Sequence, residues 1–120
     1  MKKVVLLVLL FGGGLAFAQM PSSGTIGTGA DLAHHCADRP PVGKASEAVD
    51  AAYAQGYCFG VLTTAAEILD SDGQIHFPDG ASFAQIQKIV TNYLNAHPEE
   101  WQKPASQLVK KALKQAWGTS

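Results

Sequence analysis

The chain has 120 residues, with nine basic and ten acidic side chains and a formal net charge of −1. The acids are scattered and three of the lysines gather near the C-terminus, so nothing in the charge pattern points to nucleic acid or to an anionic membrane surface. This length is enough for one hydrophobic core and too short for two.

The N-terminus carries Lys2 and Lys3, then an apolar run over residues 4–18 that ends in Ala16-Phe17-Ala18, the small-x-small pattern read by a signal peptidase. The expected cut lies between Ala18 and Gln19. A membrane anchor fits less well, because the run is shorter than the roughly 20 apolar residues of a bilayer span and is broken by Gly12, Gly13 and Gly14. No cysteine sits beside the cut to accept a lipid. Residues 1–18 are therefore read as a signal peptide, leaving a soluble exported protein with a net charge of about −3. Residues 19–29 are rich in Pro, Ser, Gly and Thr and read as a flexible leader, with the folded domain over residues 30–118. The two cysteines, Cys36 and Cys58, are expected to pair in an oxidising compartment. Such a bridge closes a loop of about 23 residues, worth roughly 3 kcal/mol in the chain-entropy model.

Within the domain, residues 31–36 can form a short helix, stopped by Arg39-Pro40-Pro41 because a residue before proline leaves the α region. A long helix is predicted over residues 47–69, with Ser46 as N-cap and Glu47 and Asp50 at its positive end. Ala48, Val49, Ala52, Tyr53, Gly56, Phe59, Gly60 and Thr63 recur at helical spacing and are read as its core stripe. Glycines inside a helix are costly unless another element comes close, so tight packing is expected at Gly56 and Gly60. Asp70-Ser71-Asp72-Gly73-Gln74 and Phe77-Pro78-Asp79-Gly80 are turn sequences framing an exposed loop anchored by Ile75 and Phe77.

Ser82 with Gln85 three residues on is a capping box opening a helix whose buried face is Phe83, Ile86, Ile89, Val90, Tyr93 and Leu94. His97-Pro98 ends it, and Pro98-Glu99-Glu100-Trp101 suits a single turn. Pro104 opens the last helix, with Ala105, Leu108, Val109, Ala112, Leu113 and Ala116 as its stripe and Gly118 as its stop. No segment of the mature chain has a period of two. The expected fold is a single all-α domain of about four helices.

The residue types for chemistry are present but poorly arranged. His34-His35-Cys36 and Cys58 are zinc-ligand types, yet adjacent helical residues cannot both face one ion. A catalytic thiol would need an unpaired cysteine beside a histidine. Asp70-Ser71-Asp72-Gly73 departs from a calcium loop, since its glycine comes two positions early and Ala81 stands where a glutamate is required. Gly24, Gly27 and Gly29 follow no strand and do not make a phosphate loop. Tyr53, Phe59, Phe83 and Tyr93 are read as core aromatics. The residues point to no metal, no cofactor and no catalytic set, and so to a protein that works by binding.

The order of motifs adds to this. An early cysteine on a short helix is followed by Gly56-Tyr57-Cys58-Phe59-Gly60, then by residues 76–82 leading into Gln85, then by residues 90–100, Pro104-Ala105-Ser106 and residues 112–117. From about Gly29 to Trp117 this resembles the Rap/Tai family of periplasmic immunity proteins, which protect bacteria against peptidoglycan amidases of type VI secretion. The resemblance implies an all-helical, often dimeric protein that blocks the cleft of a toxic amidase and has no activity of its own. It carries the disulfide onto Cys36 and Cys58. The family pattern often has a second cysteine pair, at the position of His76 and just after Trp117; both are absent here, so the loop around His76 is expected to be freer. Plugging a cleft suits a polar loop on a rigid scaffold. Residues 70–80 are the first candidate, with Asp70, Ser71, Asp72, Gln74 and His76 facing groups around a catalytic Cys-His pair. Residues 97–103 are the second, with Trp101 as anchor. The competing reading is a periplasmic acid-stress chaperone, switched by the four histidines and the acids, or an unassigned envelope binding protein.

Overall fold

The computed structural model describes residues 27–119; the expected signal peptide and the leader up to residue 26 lie outside the described residues. The elements in order are α1 (Gly29–Cys36), α2 (Ala45–Ser71), α3 (Phe83–Ala96), a short 3-10 helix (Pro98–Glu100) and α4 (Ala105–Trp117). Among the described residues there is no strand, only the isolated antiparallel bridges Thr28 with Pro104 and Ile75 with Gly118. The domain is all-α, as its sequence implies.

Helix α1 starts earlier than residue 31 because Thr28 and Asp31 form a capping box. The Thr28 N–H donates to Asp31 Oδ2 at 2.7 Å, and the Asp31 N–H donates back to Thr28 Oγ1 at 3.3 Å. These bonds hold the Asp31 carboxyl below its usual range, the backbone N–H of Thr28 acting most strongly. Gly27 is tied in as well, its carbonyl accepting from the Ala105 N–H at 3.1 Å. The last three residues of the segment read as a leader therefore belong to the fold.

Helix α2 is longer at both ends than its sequence suggests. Glu47 Oε2 accepts from the Gly43 N–H at 3.1 Å, which draws the entering chain into the first turn, so Lys44 rather than Ser46 takes the N-cap position. Its buried residues are Ala54, Cys58, Leu62, Ala66 and Leu69. The expected stripe faces the other way. Val49, Tyr53 and Phe59 are exposed, and a Cβ added to Gly56 or Gly60 would meet nothing within 4 Å. Apolar and small residues occur all round this helix, so its pattern fits two registers about half a turn apart; the disulfide decides between them by drawing Cys58 inward.

That disulfide joins Cys36 at the end of α1 to Cys58 in the middle of α2, with Cα atoms 5.1 Å apart and both residues buried. Around it close Leu32, Leu62, Ile75, Val90, Leu94, Leu108, Val109 and Leu113, drawn from every helix and the loop. Each such aliphatic side chain contributes about 1.5–3 kcal/mol by leaving water. Helix α3 has its foreseen capping box, Ser82 N–H to Gln85 Oε1 at 2.9 Å and Gln85 N–H to Ser82 Oγ at 3.3 Å, and buries Ile86, Val90 and Leu94. Phe83 and Tyr93 are half-buried against the core, whereas Tyr53 and Phe59, also read as core aromatics, stand in solvent. The stripe of α4 is buried from Ala105 to Leu113, with Ala116 exposed.

Candidate functional site

The segment after α2 is built to be rigid. Three backbone bonds fold it back on the helix end: Asp72 N–H to the Ile68 carbonyl at 2.9 Å, Gly73 N–H to Asp70 at 2.9 Å and Gln74 N–H to Leu69 at 2.8 Å. Gly73, at φ +69°, supplies the left-handed turn they require. Ile75 then enters the core completely, and the chain pairs with the residues after α4. The His76 N–H donates to the Trp117 carbonyl at 3.0 Å, the Thr119 N–H to the Gln74 carbonyl at 3.3 Å, and Thr119 Oγ1 to the Gly73 carbonyl at 2.7 Å. Phe77 packs edge-on against Trp117 with ring centroids 5.8 Å apart. The loop around His76 is thus held, where the family pattern often has a second disulfide, by main-chain pairing and one buried isoleucine.

On this frame Ser71, Asp72 and His76 are exposed, and Asp70 and Gln74 are half-buried. Ser71 spends its hydroxyl on the Ile68 carbonyl at 3.0 Å. Asp70 and Asp72 share this end of the molecule with Asp79, inside the candidate segment but not singled out in it, and with Glu67, which lies outside it. The signal for them was available: no lysine or arginine occurs between Lys44 and Lys88. None of the ion pairs among the described residues involves these four acids. Glu67, Asp70 and Asp72 also sit at the C-terminal end of α2, whose last turn holds no basic residue, where the helix dipole already concentrates negative charge. Carboxylates there cost a few tenths of a kcal/mol each, which a docked cation or N–H donor would offset. Beside them Thr63, Ala66, Phe77, Pro78, Phe83 and Ile86 line a shallow groove of about 420 Å³.

Trp101 lies elsewhere. Its indole N–H donates to the Leu94 carbonyl at 2.8 Å and its own carbonyl accepts from the Ala30 N–H at 3.0 Å, so it braces α1 against the end of α3. The first candidate segment meets the C-terminal end of α4 and Trp101 precedes its N-terminal end, so roughly 20 Å of helix separates them. The two candidates are not one patch. Next to Trp101, Glu100 gathers three donors: Tyr93 Oη on Oε2 at 2.7 Å, and Lys103 and Lys111 Nζ on Oε1, each at 2.7 Å. Those hydrogen bonds hold the carboxyl down to about 2, while burial, then Glu100 itself, push Tyr93 up to about 12.

No group of three or more His, Cys, Asp or Glu able to hold a metal occurs among the described residues. Both cysteine sulfurs are tied up in the disulfide. Among the described residues no helix is long and apolar enough to cross a membrane.

A family model for Rap1a immunity proteins matches residues 28–118, the whole of this helical domain. The chain belongs to that family. Membership implies an immunity protein against a secreted toxin, from a family whose members generally have no enzymatic activity. No curated protein and no solved structure gives a match.

Proposed function

We propose that this Rap1a-family protein is exported to the periplasm, acts there as a homodimer, and binds a peptidoglycan amidase delivered by type VI secretion so as to block its catalytic cleft. It needs no cofactor and performs no reaction. Residues 70–80 supply the blocking contact, with Asp70, Ser71, Asp72, Gln74 and His76 presented to the amidase's catalytic cysteine and histidine. Trp101, about a helix length away, lies in a separate contact. The single observation that carries this reading is an acidic, turn-rich segment braced at both edges on a disulfide-linked helical scaffold, in a chain of an immunity family. A rigid loop loses little entropy on entering a cleft, and its acids, unfavourable where they stand, gain from a cationic or N–H-bearing partner. Export rests on Lys2, Lys3, the apolar run that follows and Ala16-Phe17-Ala18.

The test is inhibition. The mature chain, residues 19–120, is titrated into a panel of type VI amidases cleaving peptidoglycan, and stoichiometric loss of activity is expected with one of them. Asp70→Lys with Asp72→Lys should weaken that inhibition about a hundredfold, a few kcal/mol of contact energy, with the helical circular dichroism unchanged. Undiminished inhibition by the double variant would remove residues 70–80 from the contact. Failure to complex with any amidase would leave the toxin to be sought among other secreted enzymes.

A further inference from the structure

We infer that the outward face of α2, centred on Gly56 and Gly60, is the surface through which two copies of this chain associate, their α2 helices crossing steeply at the two glycines. This rests on the homodimer proposed above and specifies its interface.

A helix that is apolar on every side is normally buried on every side. Helix α2 carries apolar or small residues on every side, yet the monomer fully buries only Ala54, Cys58, Leu62, Ala66 and Leu69, with Tyr57, Val61 and Ala65 partly covered beside them. On the opposite face Val49 and Tyr53 remain 69 % and 66 % exposed, and Phe59, on the flank toward α3, remains 53 % exposed. Between residues 51 and 66 there is no charged side chain at all, over more than four turns of a helix half in water. Gly56 and Gly60, one turn apart on this face, contact nothing within the subunit, although glycine weakens a helix interior. Paired small residues at that spacing let another helix backbone come close.

The occupant follows from charge and size. A twofold contact sets each side chain near its own copy, so a charged centre would repel itself; this face carries no charge from residue 51 to residue 66, Glu67 marking its end, and its two glycines lie next to Cys58, the midpoint of the helix. The acids lie at the ends, Glu47 and Asp50 at one and Glu67 and Asp70 at the other. Nearly aligned helices would bring acid against acid in either orientation. Crossing at about 50°, the ridge-into-groove angle, swings ends about 16 Å from the centre roughly 14 Å apart, beyond the Debye length of about 8 Å at physiological salt. The aromatic pair Phe59 and Phe83, with centroids 4.9 Å apart, extends the face onto the start of α3. With aromatic side chains of about 150–250 Å² each, the exposed apolar area comes to roughly 500 Å² per copy, or about 1,000 Å² for the pair. That is the lower range for a specific interface, so the dimer should be reversible and concentration-dependent.

Sedimentation velocity over a concentration series gives the oligomeric state of the mature chain, and Gly56→Gln with Gly60→Gln tests the surface. Both positions are open in the subunit and glutamine is a good helix former, so the variant should fold, with unchanged inhibition by residues 70–80. Its dimer dissociation constant should rise at least about tenfold, while Glu47→Lys should change it by less than about threefold. A wild-type chain that stays monomeric overturns the homodimer and this inference together. A glutamine variant that dimerises like the wild type overturns the inference alone. A variant that keeps its dimer but loses the amidase overturns it too, and assigns the face to the toxin.

Discussion

Tyr57 carries a hydroxyl that is buried without a hydrogen-bond partner among the described residues, and burial pushes its pKa up. The ring itself is well used, lying 4.5 Å centroid to centroid from His35 and closing over Gly27. Tyr57→Phe keeps the ring and removes the orphaned hydroxyl, so it should leave stability unchanged or raise it by about 1 kcal/mol in urea unfolding. Gly27 is the converse case. It sits at φ +68°, and a Cβ there would collide with the Tyr57 hydroxyl. Gly27→Ala should therefore lose about 1–3 kcal/mol, and the loss should shrink when Tyr57→Phe is added, since the two positions share one contact.

At the scale of elements, Glu100 ties the 3-10 helix to α3 through Tyr93 and to α4 through Lys111. Its folded pKa, about 2, lies below the ordinary 4.5, so the stability it contributes is complete above the unfolded value and is lost as pH falls through 4.5 toward 2. Thermal midpoints followed by circular dichroism should hold steady from neutral pH to about 5 and fall below it. Glu100→Gln should lower the midpoint at neutral pH and flatten that acid limb. An acid-stress chaperone would unfold or dissociate at low pH and expose apolar surface, so a dimer that stays folded at low pH without suppressing aggregation counts against that reading.

Elements whose start and stop are local were legible beforehand. Ser82 and Gln85 announce α3, and Pro98 and Pro104 mark the next two turns, because each signal is completed within four residues. Helix α2 was legible as a helix but not as to its buried face. Alanine and glycine discriminate weakly between core and surface, and although the Cys36–Cys58 pairing was expected, the Val49, Tyr53 and Phe59 stripe outweighed the inward pull it puts on Cys58. The role of Gly27 and Thr28 was hidden because their partners Pro104 and Ala105 lie more than 70 residues away in the sequence.

For the whole molecule, the disulfide links α1 to α2 while α1, α3 and α4 meet mainly through aliphatic packing. Reduction should cost about 3 kcal/mol, read as a fall in the urea midpoint with the helices still formed. The acidic segment was visible in the sequence as polar turns; its rigidity was not, because it depends on Ile75 and on residues 117–119 meeting across the fold. That same pairing governs when the chain can become a protein. Gly27 and Thr28 wait for Pro104 and Ala105, and Ile75 waits for Gly118. A polypeptide emerging N-terminus first from the ribosome therefore has neither seam closed until residue 105 has appeared, and only one of them until residue 118. A premature stop anywhere in α4 thus undoes more than the end of one helix, since the segment around Ile75 loses the residues it pairs with.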